Sequence, residues 1–300
     1  MNGSTVASPT SRYRWNDRPF AMPNDFLTPR LLGRSGLTVG RLGLGSAYGA
    51  PASACEQAFE RGCNYFYWGS VRRKGMGDAI RHIASRQRDK IVVVLQSYSR
   101  NGFLLGHRIE SGLRSLRLDY ADILLLGYHN RPLSPRLMEA ALRLQERGRV
   151  RHLAVSGHHR PMFQQFARDL RLQALMIRYN VAHRGAETEA FPHLESPGEP
   201  KAGMVCYTAT RWGTLIDPSN TPAGLRTPTA VDCYRFVLSN PAVDVCLTGP
   251  KTAEQMEANL KTLELGPLSG EEMQWMRKVG DNVHRLTARS SRNPLMQREQ

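Results

Sequence analysis

The feature that most constrains the fold is a regular alternation between short apolar runs and amphipathic stretches. Apolar runs of this kind, without polar alternation, are typical of strands buried on both faces. Their recurrence at intervals of about 20–40 residues, with helical stretches between, predicts parallel β/α units. The runs are Arg41–Gly45, Asn64–Tyr67, Ile91–Gln96, Ala121–Leu126, Val150–Ser156, Ala174–Tyr179, Met204–Tyr207 and Val243–Leu247.

The stretches between the runs have the periodicity of helices. Arg108–Leu118, Pro135–Gln145 and Thr252–Leu263 each repeat apolar side chains at the spacing that places them on one helical face. Thr252 is a suitable N-cap for the last of these helices. Gln255 follows it at the position of a capping-box partner.

Eight β/α units favour a closed (β/α)8 barrel over an open doubly wound sheet. The chain has 300 residues, and such a barrel typically needs about 250. Gly43–Gly49 has the pattern G-x-G-x-x-x-G, which is one residue out of register with the dinucleotide fingerprint of open sheets. Pro29–Gly40 predicts a hairpin. We therefore expect an α/β TIM barrel with an N-terminal β-hairpin plug at its bottom and a C-terminal helix.

The two ends of the sequence differ from the middle. Residues 1–28 are polar and lack the apolar stretch of a secretory signal, so we expect a flexible tail there. A transit peptide is the alternative, although Asp17 and Asp25 disfavour it. Residues 290–300 have the same polar character and predict a second flexible tail. One barrel is expected to occupy residues 29–289.

The chain is strongly basic, with 41 Lys and Arg residues against 26 Asp and Glu residues and a formal net charge of +15. The cations are spread along the sequence, with one dense group at Arg72-Arg73-Lys74. A nucleic-acid-binding protein concentrates basic residues on one helix or arm and adds stacking aromatic rings. We therefore expect a solvated basic surface and no nucleic-acid partner. Such a surface attracts anionic ligands.

The cysteines and the apolar runs bound the cellular setting. The five cysteines are widely spaced, never form C-x-x-C, and indicate neither a disulfide framework nor a metal site. They fit a reducing compartment, so we expect a cytoplasmic protein. The longest apolar runs are far shorter than the ~18 residues that span a membrane, and no membrane partner is expected.

The motifs around the predicted strands resemble those of the aldo-keto reductases, in the same order along the chain. Matching segments include Leu32–Val39 with Leu42–Gly45, Arg61–Phe66, Arg88–Val93, Leu118–Leu126, Gly148–Ser156, Arg178–Asn180 and Leu238–Val245. The resemblance covers the chain from about Thr28 to Leu265. It implies a TIM barrel, oxidoreductase activity and NADP(H) as the cofactor.

The resemblance breaks at the four residues that perform catalysis in that family. There, a tyrosine protonates the new alkoxide, a lysine lowers the pKa of that tyrosine, an aspartate anchors the lysine, and a histidine orients the carbonyl. Their aligned positions hold, in chain order, Tyr67 for the aspartate, Arg72 for the tyrosine, Gln96 for the lysine and Gly127 for the histidine. The usual mechanism is therefore not encoded.

Three nearby residues are candidates to replace the lost groups. Tyr67 supplies a phenol, and Arg72 can stabilise an oxyanion or hold a carboxylate or phosphate. His129 lies two positions beyond the lost histidine and could relay protons near neutral pH. We predict that these three converge at the C-terminal mouth of the barrel, with Tyr67 or His129 as proton donor and Arg72 as anchor. The alternative is that Tyr67 only packs and His129 lies in a loop.

The positions that hold the cofactor in the family are better preserved. By resemblance, Ser156 holds the nicotinamide carboxamide, Tyr207 stacks on the nicotinamide ring, and Lys251 meets the 2′-phosphate at a helix N-terminus. The predicted NADP(H)-binding residues are Gly45, Ser46, Ser156, Gly157, Met176, Tyr207, Thr208, Gly249, Lys251, Thr252, Gln255 and Asn259. Adjacent His158 and His159, without a nearby carboxylate in sequence, are not expected to bind a metal.

Two functions follow as hypotheses. The first is an aldo-keto reductase-like NADP(H)-dependent oxidoreductase with an altered proton-transfer site, acting on a small-molecule carbonyl or alcohol that carries negative charge. The second is a catalytically silent barrel that binds a nucleotide or an anion and serves as a sensor or subunit. The retained cofactor positions favour both hypotheses, whereas the four catalytic losses favour the second.

Overall fold

A computed structural model describes residues 25–69, 72–194 and 200–291 and shows one closed barrel of eight parallel strands. The strands adjoin in the order β10-β3-β4-β5-β6-β7-β8-β9. They are β3 (Leu42–Gly45), β4 (Tyr65–Trp68), β5 (Val92–Ser97), β6 (Ala121–Leu126), β7 (Val150–Gly157), β8 (Ala174–Arg178), β9 (Gly203–Tyr207) and β10 (Val245–Thr248). Each overlaps one predicted run, so the predicted TIM barrel is confirmed.

The predicted hairpin is also present. Strands β1 (Arg30–Leu31) and β2 (Thr38–Val39) pair antiparallel. Between them, Leu32 is buried, and together with Val39 it joins the apolar cluster inside the barrel. Gly33 has φ +46° and approaches the backbone of Gly203 so closely that no side chain fits there. The hairpin therefore closes the end of the barrel at which the strands begin.

Helices follow most of the strands and pack around the barrel. They are α1 (Ala52–Glu60), α2 (Lys74–Gln87), α3 (Gly102–Leu116), α4 (Pro135–Glu146), α5 (Met162–Arg168), α6 (Ala186–Glu189), α7 (Ala230–Leu238), α8 (Ala253–Leu265) and α9 (Gly270–Ser291). Helix α3 starts earlier than its periodicity predicts because the side chain of Asn101 accepts hydrogen bonds from the backbone N–H groups of Phe103 and Leu104.

The core has two layers that share the strands. Inward-facing residues such as Val94, Leu125 and Met176 fill the barrel, whereas outward-facing neighbours such as Leu95 and Leu124 pack under the helices. Because both faces of each strand are buried, the strands read as continuous apolar runs in the sequence.

The ends of the described chain are tied to the barrel. Phe26, within the predicted N-terminal tail, is buried, and its N–H donates to the carbonyl of Leu263 at 3.0 Å. Helix α9 extends to Ser291. Residues 1–24 and 292–300, which make up most of the two predicted tails, lie outside the described residues. Among the described helices, none is long and apolar enough to cross a membrane.

Candidate functional site

The mouth of the barrel, where the strands end, carries the polar side chains that the sequence singled out. On each strand the last inward-facing position continues the alternation of the barrel interior. This places Tyr67, Gln96, Ser156, Arg178 and Tyr207 around the opening, because the inward residues before them, among them Tyr65, Val94, Ala154, Met176 and Val205, belong to the interior cluster. This end of a (β/α)8 barrel is the one at which active sites are built.

Tyr67 and Gln96 stand at two of the four positions that the resemblance aligned with catalytic residues, and they are in contact. The hydroxyl of Tyr67 donates a hydrogen bond to Gln96 Oε1. A Cβ on Gly127 would lie 2.6 Å from Gln96 Nε2 and 2.8 Å from the ring of Tyr98, and a Cβ on Gly69 would lie 2.6 Å from Gln96 Cβ. Gln96 is therefore packed between two glycines, and a histidine at position 127 would not fit this arrangement.

The environment of Tyr67 keeps its phenol protonated. Burial raises the pKa of Tyr67 well above its ordinary value, and the neighbouring Tyr98 raises it further. A phenol with a raised pKa donates hydrogen bonds but releases its proton reluctantly. Tyr67 is thus suited to orienting a neighbour more than to acid catalysis.

Arg72 lies on the rim. It is exposed, has φ +56°, and packs against the turn after β3, where a Cβ on Gly49 would lie 3.3 Å from Arg72 Cβ. Within the described residues, no hydrogen bond, ion pair or ring contact joins Arg72 to Tyr67 or His129. The three predicted catalytic residues are therefore not brought into contact, and their catalytic roles stay predictions.

His129 is held away from the opening by its own partners. Its side chain is buried, and Arg100 Nη1 donates to its Nε2 at 3.0 Å. The backbone N–H of His129 donates to the carbonyl of Ser156 at 2.7 Å. It lines a cavity of about 370 Å³ beside Ser134 and Leu137. Burial, followed by the charge of Arg100, lowers the pKa of His129 to about 4. The imidazole is therefore neutral at pH 7, with Nε2 as a hydrogen-bond acceptor.

Four aromatic rings at or just beyond the ends of the strands lie next to one another at the mouth: Tyr98, Tyr128, His158 and Tyr207. Ring centroids lie 5.9 Å apart for Tyr98 and Tyr128, 4.3 Å for Tyr128 and His158, and 6.4 Å for His158 and Tyr207. The hydroxyl of Tyr207 and Nε2 of His158 are 2.8 Å apart. Burial, and then Arg178, lowers the pKa of His158.

The sequence drew attention to His158 only as a metal ligand, which was not expected, and gave no site role to Tyr98 or Tyr128. The available signal was position, since each of the three lies one or two residues beyond the C-terminal end of a barrel strand. Tyr128 adopts φ +61°, a conformation that propensities for an aromatic residue do not predict.

The predicted carboxamide site retains one usable group. Ser156 is buried, and its Oγ accepts a hydrogen bond from the N–H of Tyr128 at 3.2 Å, which leaves its hydroxyl proton free of an acceptor among the described residues. Gly157 lies against the carbonyl oxygen of His129, so that the family's asparagine has no room there. Met176 is an apolar member of the interior cluster. Ser156 is the one polar side chain of these three.

On the neighbouring side of the mouth, the turn after β3 contributes a buried polar atom. Ser46 is buried, and its Oγ has no hydrogen-bond partner in the part of the chain that the structure describes. A Cβ on Gly45, the preceding residue, would be in ordinary van der Waals contact with the carbonyl of Thr248 at 3.5 Å and the ring of Tyr67 at 3.8 Å. An orphaned buried hydroxyl at the mouth is suited to a ligand contact.

Helix α8 begins at the same end of the barrel. Thr252 caps it by accepting from the N–H of Gln255 at 3.2 Å, and Gln255 Oε1 accepts from the N–H of Lys251 at 2.8 Å. The capping box is thus shifted by one residue. Lys251 is exposed, with Nζ 5.9 Å from the ring centroid of Tyr48. The helix N-terminus and this lysine together favour a phosphate.

The remaining predicted cofactor residues make contacts within the protein. Asn259 is buried and donates to Thr248 Oγ1 at 2.9 Å. Thr208 has φ +60° and donates to the carbonyl of Tyr207 at 2.6 Å, and Gly249 lies against the ring of Tyr48. Their contacts with a cofactor stay predictions. Among the described residues, no three His, Cys, Asp or Glu side chains form a set that could hold a metal ion.

Comparison with known proteins identifies the fold through structure alone. No protein-family model matches the sequence, and no curated protein sequence matches it significantly. The structure, however, superimposes on aldo-keto reductase AKR11C1 from Bacillus halodurans with a TM-score of 0.69 for the holo form, covering 84% of this chain and 96% of that chain at 21% sequence identity.

The apo form of the same Bacillus enzyme gives a TM-score of 0.70 at 21% identity, covering 84% of this chain and 95% of that chain. A Pseudomonas aeruginosa protein provisionally assigned to the aldo-keto reductases gives a TM-score of 0.62 at 17% identity, covering 80% of this chain and 96% of that chain. The chain therefore has the aldo-keto reductase fold.

Proposed function

From this fold and the residues at its mouth, we propose that the protein is an NADP(H)-dependent oxidoreductase of aldo-keto reductase type with an altered proton-transfer site. It acts on a carbonyl or alcohol compound that carries negative charge. The observation that carries the proposal is that inward-facing Tyr207 and Ser156, whose hydroxyl proton has no acceptor among the described residues, lie at the same end of the barrel. A ring for stacking and a donor for a carboxamide are the two groups that a nicotinamide needs.

The residues present fit a phosphorylated dinucleotide. The orphaned hydroxyl of Ser46 offers a contact beside the opening. Lys251 and the N-terminus of α8 offer a cation and backbone N–H groups for a phosphate. Bound NADPH would supply the hydride; the chain's own part is to bind and orient the two reactants.

The proton has to come from a group at the mouth. Tyr67 is held by Gln96, and His129 accepts from Arg100. Burial raises the pKa of Tyr207 as it does that of Tyr67. His158, whose Nε2 is 2.8 Å from the Tyr207 hydroxyl, is therefore the member of this pair suited to hold and pass a proton. Burial, and then the charge of Arg178, lowers the pKa of His158, so a proton placed on this imidazole is released readily.

A second candidate function is favoured by the packing around Gln96. The hydrogen bond from Tyr67, with Gly69 and Gly127 on either side of the amide, fills the volume in which the family polarises its carbonyl. A barrel with that volume filled would bind the nucleotide without turning it over and would act as a sensor or subunit.

Titration of the purified full-length protein with NADPH and NADH, followed by nicotinamide fluorescence, tests the shared part of both candidates. We expect saturable binding, with NADPH preferred. Binding of neither nucleotide would overturn both. A Tyr207→Ala variant should weaken binding of both nucleotides, and Tyr120→Ala, a substitution at the opposite end of β6, serves as a matched control that removes a tyrosine far from the opening.

Single-turnover oxidation of bound NADPH separates the two candidates. A panel of aldehydes and ketones with and without a carboxylate or phosphate is mixed with the NADPH complex, and loss of nicotinamide absorbance is followed. Oxidation by an anionic member supports the oxidoreductase. Tight NADPH binding with no oxidation by any member would favour the silent barrel.

A further inference from the structure

Three basic side chains stand on adjacent loops beside Tyr207, and none of them belongs to the predicted site. Arg178 is the last residue of β8 and lies opposite Tyr207 in the strand register. His183 follows in the turn after β8, and Arg211 lies in the turn after β9 with φ +51°. All three are half-buried. We call Arg178, His183 and Arg211 the basic triad.

The loops that carry the basic triad are fixed to each other. Asn180 is fully buried; its Nδ2 donates to the carbonyl of Thr208 at 2.9 Å, and its Oδ1 accepts from the N–H of His183 at 3.0 Å. One asparagine thus joins the turn after β8 to the turn after β9. The relative positions of the three basic groups are thereby preorganised, which lowers the entropic cost of binding a ligand between them.

The carboxylates near these loops are already engaged with other arginines. Glu187 pairs with Arg277 at 3.0 Å, Glu189 with Arg160 at 2.9 Å, and Asp281 with Arg184 at 2.6 Å. Their charges are therefore largely neutralised by their own partners.

Within residues 25–69, 72–194 and 200–291, by contrast, no carboxylate pairs with Arg178, His183 or Arg211. The side chain of Arg178 makes no hydrogen bond in this part of the chain, and the guanidinium of Arg211 reaches only the carbonyl of Val283, at 3.4 Å. Half-buried cations without a counter-charge are unfavourable unless something else supplies it.

The electrostatics of the three groups agree with this geometry. Burial, and next the charges of Arg178 and Arg211, lower the pKa of His183 to about 4. Burial and then Arg178 also lower the pKa of Arg211. Arg178 thus acts as a like charge on both His183 and Arg211, and an anion bound beside it would offset that repulsion.

We propose that the basic triad binds an oxyanionic group, a carboxylate or a phosphate, on a ligand that lies beside Tyr207. Two arginines on neighbouring loops can each present a planar fork to such a group. The triad follows the sixth and seventh barrel strands, whereas the predicted 2′-phosphate site at Lys251 follows the eighth. The anion is therefore not the 2′-phosphate; we assign it to the substrate, and a pyrophosphate oxygen of the nucleotide is the other outcome of the last test below. Only that last assignment rests on the proposed function; binding of an anion does not.

Inorganic phosphate is the probe for a first test. Its binding to the full-length protein is measured by calorimetry at ~150 mM NaCl, where exposed charges more than about 8 Å apart are screened. We expect Arg178→Met and Arg211→Met each to weaken binding about tenfold, the loss expected for one charge-assisted contact. Arg178→Lys should give an intermediate loss. Arg108→Met removes an exposed cation on α3 and serves as the matched control.

The histidine supplies a second readout. Because a bound anion favours protonated imidazole, phosphate should raise the pKa of His183, as followed by NMR in wild type, and this rise should disappear in Arg178→Met. Phosphate binding that is unchanged in both arginine variants, or equally reduced by Arg108→Met, would overturn the basic triad as a site.

Repeating the phosphate titration on protein saturated with NADPH tests the assignment to the substrate. Phosphate that still binds, with the same dependence on Arg178, supports a separate substrate anion site. Phosphate that NADPH excludes would overturn that assignment, because the triad would then hold a phosphate of the nucleotide. Absence of any NADPH binding would contradict the proposed function while leaving the phosphate result intact.

Discussion

The two ends of the barrel treat their ionised groups in opposite ways. At the end where the strands begin, Asp244 accepts from Lys201 Nζ at 3.0 Å and from the N–H of Met204 at 2.8 Å. Arg41, only 1% exposed, donates to the carbonyls of Asp244, Val243 and Leu238. Each of these charged groups is hydrogen-bonded within the protein, Asp244 to a lysine and a backbone N–H group and Arg41 to three carbonyl groups.

At the mouth the polar groups are left incomplete. Ser46 Oγ is orphaned, Ser156 retains a free proton, and Arg178 has no counter-charge among the described residues. In barrels of this architecture, polar residues at the strand starts serve stability and those at the strand ends serve function. The difference between the two ends therefore separates the side chains that hold the fold from those that await a ligand.

The largest expected effect tests the bottom of the barrel. Asp244→Ala should lower the free energy of unfolding by about 3 kcal/mol, because it leaves Lys201 without its partner and the buried N–H of Met204 unpaired. Urea unfolding measures this. Asp119→Ala, an exposed aspartate, should change stability by no more than about 0.5 kcal/mol. Asp244→Ala should bind NADPH with the same affinity as the wild type. A large loss of affinity in this variant would contradict the separation of the two ends.

Gly157 lies at the mouth, but we expect packing within the protein, and not ligand binding, to require glycine at this position. A Cβ at Gly157 would collide with the carbonyl oxygen of His129, which is backbone and cannot rotate away. Gly157→Ala should therefore cost about 2 kcal/mol of stability by overpacking. Gly106→Ala, where a Cβ meets open space on exposed α3, is the control and should be neutral or stabilising. An equally mild Gly157→Ala would show that β6 and β7 can separate there.

The contrast between the ends also explains how far the sequence could be interpreted. The barrel strands were predicted because burial on both faces leaves continuous apolar runs, whereas Ser156 and Tyr207 were singled out by the resemblance to the aldo-keto reductases. Tyr98, Tyr128 and Arg178 belong to loops or last strand positions whose conformation is set by contacts between distant segments. The φ of +61° at Tyr128, for example, accompanies its packing on His158. No local pattern encodes that contact.

At the mouth, Lys251 should contribute to the affinity for NADPH but not to the affinity for NADH. Lys251→Ala removes a cation that can meet a 2′-phosphate, and we expect NADPH binding to weaken by about 1.5 kcal/mol while NADH binding is nearly unchanged. Fluorescence titrations with both nucleotides measure the difference. Lys261→Ala, in the same helix but away from its N-terminus, is the control. Equal weakening of both nucleotides by Lys251→Ala would remove this lysine from the 2′-phosphate site.

The smallest expected effect is a gain of stability at the mouth. Arg178→Met removes a half-buried cation that repels Arg211, so the ligand-free protein should become about 0.5–1 kcal/mol more stable at pH 7. The sign with pH follows from His183. Its folded pKa of about 4 lies below the ordinary 6.5, so the unfolded state binds more protons between these values, and stability falls as the pH drops from 6.5 toward 4. Without Arg178, the pKa of His183 in the folded state rises toward 6.5. The pH range over which the unfolded state binds more protons becomes narrower, and the loss of stability on acidification becomes smaller. Urea unfolding at pH 7 and pH 5 measures both effects. A less stable Arg178→Met at both pH values would mean that Arg178 holds the fold, as Asp244 does at the other end.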